Sequence, residues 1–352
     1  MNPWGGAPRP LAVAGLVLVA MALVALPFAL AQVGTAWVRI TNLALLFALL
    51  ALGLNIVVGF AGLLDLGYIA FYGVGAYVWA LLASPHFNIH LPFWVILPIG
   101  ALVACAFGVL LGAPTLKLRG DYLAIVTLGF GEIVRIFLNN LSRPVNITNG
   151  PQGISRIDPV RIGEVDFSVT SKVAGLAFSG PIKYYYLLLL FLVIVLVVNL
   201  RLQDSRIGRA WQAIREDEIA ARAMGIDTTA VKLLAFAMGA SFGGIAGGMF
   251  ASMQSFISPE SFVLVESVMV LAMVVLGGMG NIWGVLLGAV LLTFVPEILR
   301  YTVEPLQKAA FGRMIVEPEV IRMLLFGLAL VLMMLFRPSG LLPASVRRRK
   351  GA

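Results

Sequence analysis

Long, nearly unbroken apolar runs separated by short polar interruptions set the pattern of this sequence. The runs are about 17–22 residues long, the length an α-helix needs to cross a hydrocarbon core of ~30 Å. Strands of a membrane barrel would alternate apolar and polar positions in segments of ~10 residues. These runs do not alternate, so the requirement that backbone groups be satisfied inside the bilayer leaves helices. The pattern predicts about ten spans, at 11–31, 41–58, 66–83, 93–114, 120–138, 184–200, 231–253, 264–280, 282–300 and 321–337. Glycines and carboxylates interrupt or flank the third and the eighth. The fold class expected is all-α, a polytopic transmembrane bundle forming one domain over 1–352, with a loop at 141–183 and a charged segment at 201–230.

The charged segment is the densest departure from the apolar background. Between Asp204 and Asp227 it carries Arg206, Arg209, Arg215, Glu216, Asp217, Glu218 and Arg222. Ile207, Trp211, Ile214, Ala221 and Met224 recur there at helical spacing, which predicts a short amphipathic helix. Gly225 suits the left-handed position that ends a helix, and Asp227 or Thr228 suits the start of the next. A helix with one apolar and one charged side, lying against a membrane face, is suited to docking a partner. A solvated loop between spans is the alternative from composition.

Composition supports the membrane reading. The chain is 60% hydrophobic and 12% charged, about half the charge of a soluble domain. The net charge of +8 is scattered among the predicted loops, so membrane orientation explains it and no nucleic acid partner is implied. The basic tail Arg347–Lys350 is expected in the cytosol. Counting spans back places 201–232, Lys117, Arg119 and Arg9 on the same side, with both termini inside. Arg9, an apolar run and Ala29-Leu30-Ala31 also resemble a signal peptide; the length of the run favours a retained first helix. Cys105 stands alone within an apolar run and forms no intrachain disulfide.

Several residues carry potential chemistry. The second and third spans contain Gly53, Gly59, Gly62, Gly67, Gly73 and Gly75 with Asn55 and Asp65. Glycines at membrane depth are tolerated where backbone lines a cavity or packs closely. An intramembrane carboxylate marks a candidate functional site, although the span count puts Asp65 in a short cytosolic turn. Tyr68, Phe71 and Tyr72 could line a path or pack. Glu132 and Arg135 stand at i, i+3, the spacing for a pair on one helix face. His86 and His90 are too few for a metal site and read as loop histidines. Gly239, Gly243 and Gly247, Gly284 and Gly288, and Gly108 and Gly112 form small-xxx-small faces for close helix packing. The chain has no phosphate loop, since none of its six lysines follows a suitable glycine. It also has no nucleophile elbow or H-E-x-x-H motif, so no enzymatic machinery is visible.

Five stretches together resemble one family: GLNIVVGFAGLLDLGYIAFYGVGAY (53–77), RGDYLAIVTLGFGEIVRIFLNN (119–140), TNGPQGI (148–154), SRIGRAWQAIREDEIAARAMGI (205–226) and VLGGMGNIWG (275–284). They are similar to the LivM-type permease of bacterial branched-chain amino acid ABC importers, over about residues 40–340. The resemblance implies a type II importer-like bundle in the bacterial inner membrane. It implies a second, LivH-like permease, two cytosolic ATPases that bind the ATP-Mg, and a periplasmic amino-acid-binding protein; this chain itself would bind no cofactor and be no enzyme. Residues 201–230 would be the coupling segment, with Arg215, Glu218, Ala220, Ala221 and Gly225 in the contact. Importer permeases carry E-A-A-x-x-x-G there; this chain matches Ala220, Ala221 and Gly225, but Ile219 stands in the place of Glu. The loop 141–183 would face outward and receive the binding protein. The implied substrate is a zwitterion with an apolar side chain, for which Asn55, Tyr68, Phe71, Tyr72, Thr127 and Glu132 are the expected path residues. A urea or short-amide importer permease resembles the same family. An ion-coupled carrier or channel is the rival from another class.

Overall fold

The computed structural model describes residues 9–115, 118, 120–173 and 176–311, with parts of 320–342. The helices are α1 (Arg9–Val33), α2 (Thr35–Leu54), α3 (Ile69–Leu82), α4 (Phe93–Thr115), α5 (Asp121–Asn140), α6 (Gly180–Gln203), α7 (Arg206–Glu216), α8 (Glu218–Ala223), α9 (Thr228–Gln254), α10 (Leu264–Gly277) and α11 (Ile282–Phe311). Among the described residues, six helical stretches are long and apolar enough to cross a membrane: Thr35–Phe60, Phe93–Thr115, Gly180–Gln203, Thr228–Gln254, Pro259–Gly277 and Ile282–Thr302. Two apolar stretches are shorter, Val17–Val33 and Ile69–Leu82. The expected span 120–138 appears as α5, which carries Asp121, Glu132 and Arg135. Of the expected span 321–337 about half the residues are described, and Leu324, 327–328, 331–333 and 335–336 are helical; Lys117, Arg119 and the tail Arg347–Lys350 lie outside the described residues.

The bundle is built around α9. It packs along α3 and α4, and α2 lies against α6, α9 and α11. The C-terminal end of α2 is sealed, with Leu50, Ala51, Leu52 and Leu54 fully buried. Close approach comes from the predicted small-residue faces. A Cβ added to Gly247 of α9 would stand 2.8 Å from Ala76 N of α3, and one on Gly108 of α4 would stand 2.6 Å from the Cβ of Ala240; outside those faces, one on Gly75 would stand 2.5 Å from the Cα of Gly244. Without a hydrophobic drive between helices in lipid, such backbone contact is a main source of cohesion.

α1 is attached by two tyrosines. Pro27 in α1 has no N–H and leaves the carbonyl four residues back without its helical donor. The Tyr185 hydroxyl of α6 donates to that carbonyl, Leu23 O, at 2.9 Å, and Tyr186 donates to Val24 O at 2.7 Å.

The largest departure from the predicted pattern lies between α2 and α3. A π-helical turn, Asn55–Phe60, continues α2, and α3 begins only at Ile69. The expected span 66–83 thus starts with a non-helical link, Ala61–Tyr68. Along that link Leu63, Asp65 and Gly67 are buried while Gly62, Leu64 and Leu66 are at least partly exposed. Asp65 is 1% exposed, so it sits inside the bundle and not in a solvated cytosolic turn.

The described residues of the loop 141–183 form a cap. Ile154–Ser155 pairs antiparallel with Phe256–Ile257, just beyond α9. The Lys183 ammonium donates to Asp166 O and Val169 O at 2.7 and 2.6 Å. Tyr184 accepts from Val160 N and donates to Ser252 O. The cap and the charged segment lie at opposite ends of α6 and α9. α6 has 24 residues, so they stand about 36 Å apart at 1.5 Å per residue.

Candidate functional site

The charged segment folds as two helices, not one. Ser205 caps α7 by accepting from Gly208 N at 3.0 Å. At Asp217 the backbone leaves the helical region, with φ −154° and ψ 108°. Its carboxylate accepts from Ile219 N at 2.8 Å and Ala220 N at 3.0 Å, satisfying the first free donors of α8. Gly225 has φ +85°, a left-handed conformation that favours glycine. Asp227 then caps α9 through Thr229 N and Ala230 N.

This segment is fixed to the bundle by one face. Trp211 is fully buried and its indole N–H donates to Val231 O at 2.7 Å. Ile214 and Ala221 are buried beside it. The Arg215 guanidinium donates to the carbonyl of Gly59 in the π-turn. Its aliphatic stem lies over Gly62, where a Cβ would come within 2.7 Å of Arg215 Cγ. Glu218 accepts from the buried Lys232 at 2.7 Å and from Arg222 at 3.3 Å.

The other face is open. Ile219 is 69% and Met224 83% exposed, and Ala220 and Gly225 are exposed with them. The expected apolar stripe is therefore divided. Trp211, Ile214 and Ala221 hold the bundle, whereas Met224, expected on that stripe, points away. Of the expected contact residues, Ala220 and Gly225 lie on the open face, Arg215 and Glu218 bridge the two faces, and Ala221 is packed.

The π-turn links this grip to a second pair of helices. Asn55 is fully buried, and its Oδ1 accepts from Gly280 N at 2.9 Å, in the turn between α10 and α11. Leu341 and Leu342 reach the same turn, donating to Leu276 O and Gly277 O at 2.9 and 3.0 Å. The link after the π-turn is held from both sides. Leu66 N donates to Thr127 Oγ1 of α5 at 3.0 Å, and Leu66 O accepts from Ser267 of α10 at 2.6 Å. Asp65 Oδ1 accepts from Gly67 N at 2.9 Å.

The expected path residues are thus mostly structural in this conformation. Asn55 and Thr127 act as latches. Tyr68 is fully buried and donates to Gly239 O at 2.9 Å. Phe71 is buried, and Tyr72 packs between Phe250 and Phe262 at ring-centroid distances of 5.3 and 5.4 Å. Glu132 keeps partial exposure and forms the expected pair with Arg135, Nε to Oε1 3.0 Å; Arg135 also reaches Glu260 Oε1 at 3.0 Å. His86 and His90 bond to Asn146 O and the Asp158 carboxylate in the cap. Sequence reasoning missed Ser267 and Asp217. The signal for Asp217 was present: an Asp whose following residues return to helical spacing.

Apolar helices around glycine contacts, with a cap at one end and a gripped charged segment at the other, describe a multi-pass membrane protein of the transport-permease class. A family model described as "Branched-chain amino acid transport system / permease component" matches residues 36–334. The chain belongs to that family. It is 46% identical to the high-affinity branched-chain amino acid transport system permease protein LivM of Escherichia coli K12, over 93% of this chain and 74% of that one. Against the LivM of Salmonella typhimurium LT2 it is 45% identical, over 93% and 75%. LivH of the same Salmonella strain, another permease protein of a high-affinity branched-chain amino acid transport system, is 23% identical over 70% and 79%. No solved structure gives a significant match.

Proposed function

We propose that this chain is the transmembrane permease subunit of an ATP-driven importer that moves leucine, isoleucine and valine into the cytoplasm by alternating access. The observation that carries the reading is the two-faced charged segment, joined to the bundle through Trp211 and Arg215 and open at Ile219, Ala220 and Met224, in a chain of this family. The open face supplies apolar side chains for a groove on a cytosolic ATPase. The gripped face carries movement of that ATPase to the π-turn, and from there through Asn55 to the α10–α11 turn.

The proposed assembly pairs this chain with a LivH-like permease, two ATPases that hold ATP-Mg, and a periplasmic binding protein; this chain holds no cofactor. The binding protein docks on the cap at 141–183, whose buried Lys183 and Tyr184 keep it in a fixed shape. The amino acid passes between the two permeases. Its apolar side chain meets the exposed α5 face of Ile125, Ile133 and Phe137, and Glu132 supplies a polar contact. The proposed arrangement has about ten spans of type II importer-like fold in the bacterial inner membrane, with both termini cytosolic. The seating of Leu341 and Leu342 near the π-turn supports the C-terminal side.

The test is a gentle affinity purification of the tagged chain from its native membrane. A second permease and two ATPases should co-purify. Recovery of the chain alone, or only with copies of itself, would sink the reading in favour of a carrier or channel.

A further inference from the structure

The non-helical link after the π-turn forms one wall of a cavity of about 350 Å³, within the ~300–1,000 Å³ range of small-molecule sites. The start of α5 and the charged segment form the other walls. The lining divides by chemistry. Leu63, Leu64, Leu123, Ile214 and Ile219 make an apolar half. Asp121, Asp217, Glu218, Arg215 and Lys232 bring charges of both signs to the other half. Asp121 has no side-chain partner among the described residues, and Asp217 uses one carboxylate oxygen, Oδ1, for both capping bonds. That leaves Asp217 Oδ2 for an ammonium group. Arg215 and Lys232 supply the cations, and α5 starts at Gly120 in this lining without a side-chain cap. Its first-turn N–H groups add to the attraction for a carboxylate.

An apolar half beside charges of both signs complements a small zwitterion with a branched aliphatic side chain. We propose that this cavity binds one free branched-chain amino acid from the cytosolic side, and that its occupancy slows transport. The proposal rests on the importer reading and adds a regulatory site for the transported product. A ligand here touches α5 and the link, which belong to the bundle, and also Ile214–Ile219, which belong to the moving segment. It therefore favours the conformation in which these walls stand at their present separation. Binding is weak, because Arg215 and Lys232 already serve Gly59 and Glu218. Weak binding suits a site that should respond only once product has accumulated.

The experiment uses the complete importer in proteoliposomes, with ATP inside and loaded binding protein outside. Vesicles are preloaded with L-leucine or urea, and the initial rate of labelled leucine uptake is read. Internal leucine should lower the rate saturably, by roughly 10-fold at ten times its dissociation constant, and urea should not. Within each variant, the ratio of rates with and without internal leucine should return towards one in Leu64→Trp, which fills the cavity. The same return is expected in Asp121→Asn, which removes one charge at nearly constant volume. A photoreactive leucine analogue added to the purified complex should mark residues 61–64 or 214–219, and excess leucine should compete with it. Leucine import that ignores internal leucine, equal inhibition in both variants, or labelling only elsewhere overturns the site and leaves the importer reading standing. A complex that imports no leucine at all overturns the importer reading.

Discussion

Replacing Arg215 by alanine tests the grip between the charged segment and the bundle. The guanidinium donates to Gly59 O, and its stem covers Gly62. A hydrogen bond from a charged group contributes about 1.5–3 kcal/mol. Arg215 is exposed on its outer side, so solvent screening reduces the expected loss to ~1–2 kcal/mol. That shifts the balance between gripped and released segment by roughly 5–30-fold. The bundle should stay folded, because Trp211 and Ile214 keep the segment anchored. The assay is paired: ATP hydrolysis stimulated by the binding protein, and leucine uptake, in the same proteoliposomes. Arg215→Ala should keep hydrolysis and lose uptake, lowering the ratio of molecules moved to ATP spent about 5-fold or more. Arg215→Lys should fall between, since a point-like ammonium keeps the charge but not the planar fork. An unchanged ratio in Arg215→Ala would refute the transmission argument.

Other predictions address the remaining contacts. Gly225→Val should cost ~1–2 kcal/mol of backbone strain at φ +85°, reducing uptake without lowering the thermal midpoint of the bundle; normal uptake counts against the coupling role. Asp217→Ala should cost about 1 kcal/mol of capping and speed amide exchange at Ile219 and Ala220, whereas unchanged exchange would mean the cap is not needed. Gly75→Ala forces a methyl against Gly244 and should destabilise by ~1–3 kcal/mol, seen as a lower thermal midpoint in detergent. In the cap, the Ser168 hydroxyl and N–H, with Arg161, hold the Asp166 carboxyl below its ordinary range. A depressed folded value adds stability above the unfolded value of about 3.9. That stability is lost as pH falls further through the folded value, so amide exchange in the cap should rise in acid below ~pH 4 and stay flat near neutrality. A rise near neutrality would contradict the assignment.

Most helices were legible because their boundaries coincide with the ends of apolar runs. The run 231–253 became Thr228–Gln254, and 93–114 became Phe93–Thr115. The small-xxx-small faces were legible for a similar reason: spacing alone puts Gly239, Gly243 and Gly247 on one stripe. The break after Phe60 was not. Gly62, Asp65 and Gly67 interrupt the run, but where the helix stops depends partly on Gly280 N donating to Asn55 Oδ1, a partner distant in sequence. The structural bonds of the path residues were not legible either. Tyr68 and Thr127 have polar atoms that suit a substrate, but in this conformation the Tyr68 hydroxyl donates to Gly239 O inside α9, and Thr127 Oγ1 accepts from Leu66 N in the non-helical link. The charged segment was legible in its anchoring positions, since Trp211 and Ile214 keep helical spacing. Met224 lies beyond the break at Asp217, where that spacing no longer fixes direction.

The central claim is tested most directly by transport with purified parts. This chain, a LivH-like permease and two ATPases are reconstituted in sealed vesicles with a leucine-loaded binding protein outside. The account predicts leucine accumulation inside that requires both ATP and the binding protein, with isoleucine and valine competing and urea not competing. Uptake that persists without ATP, or accumulation of urea in place of leucine, would contradict it.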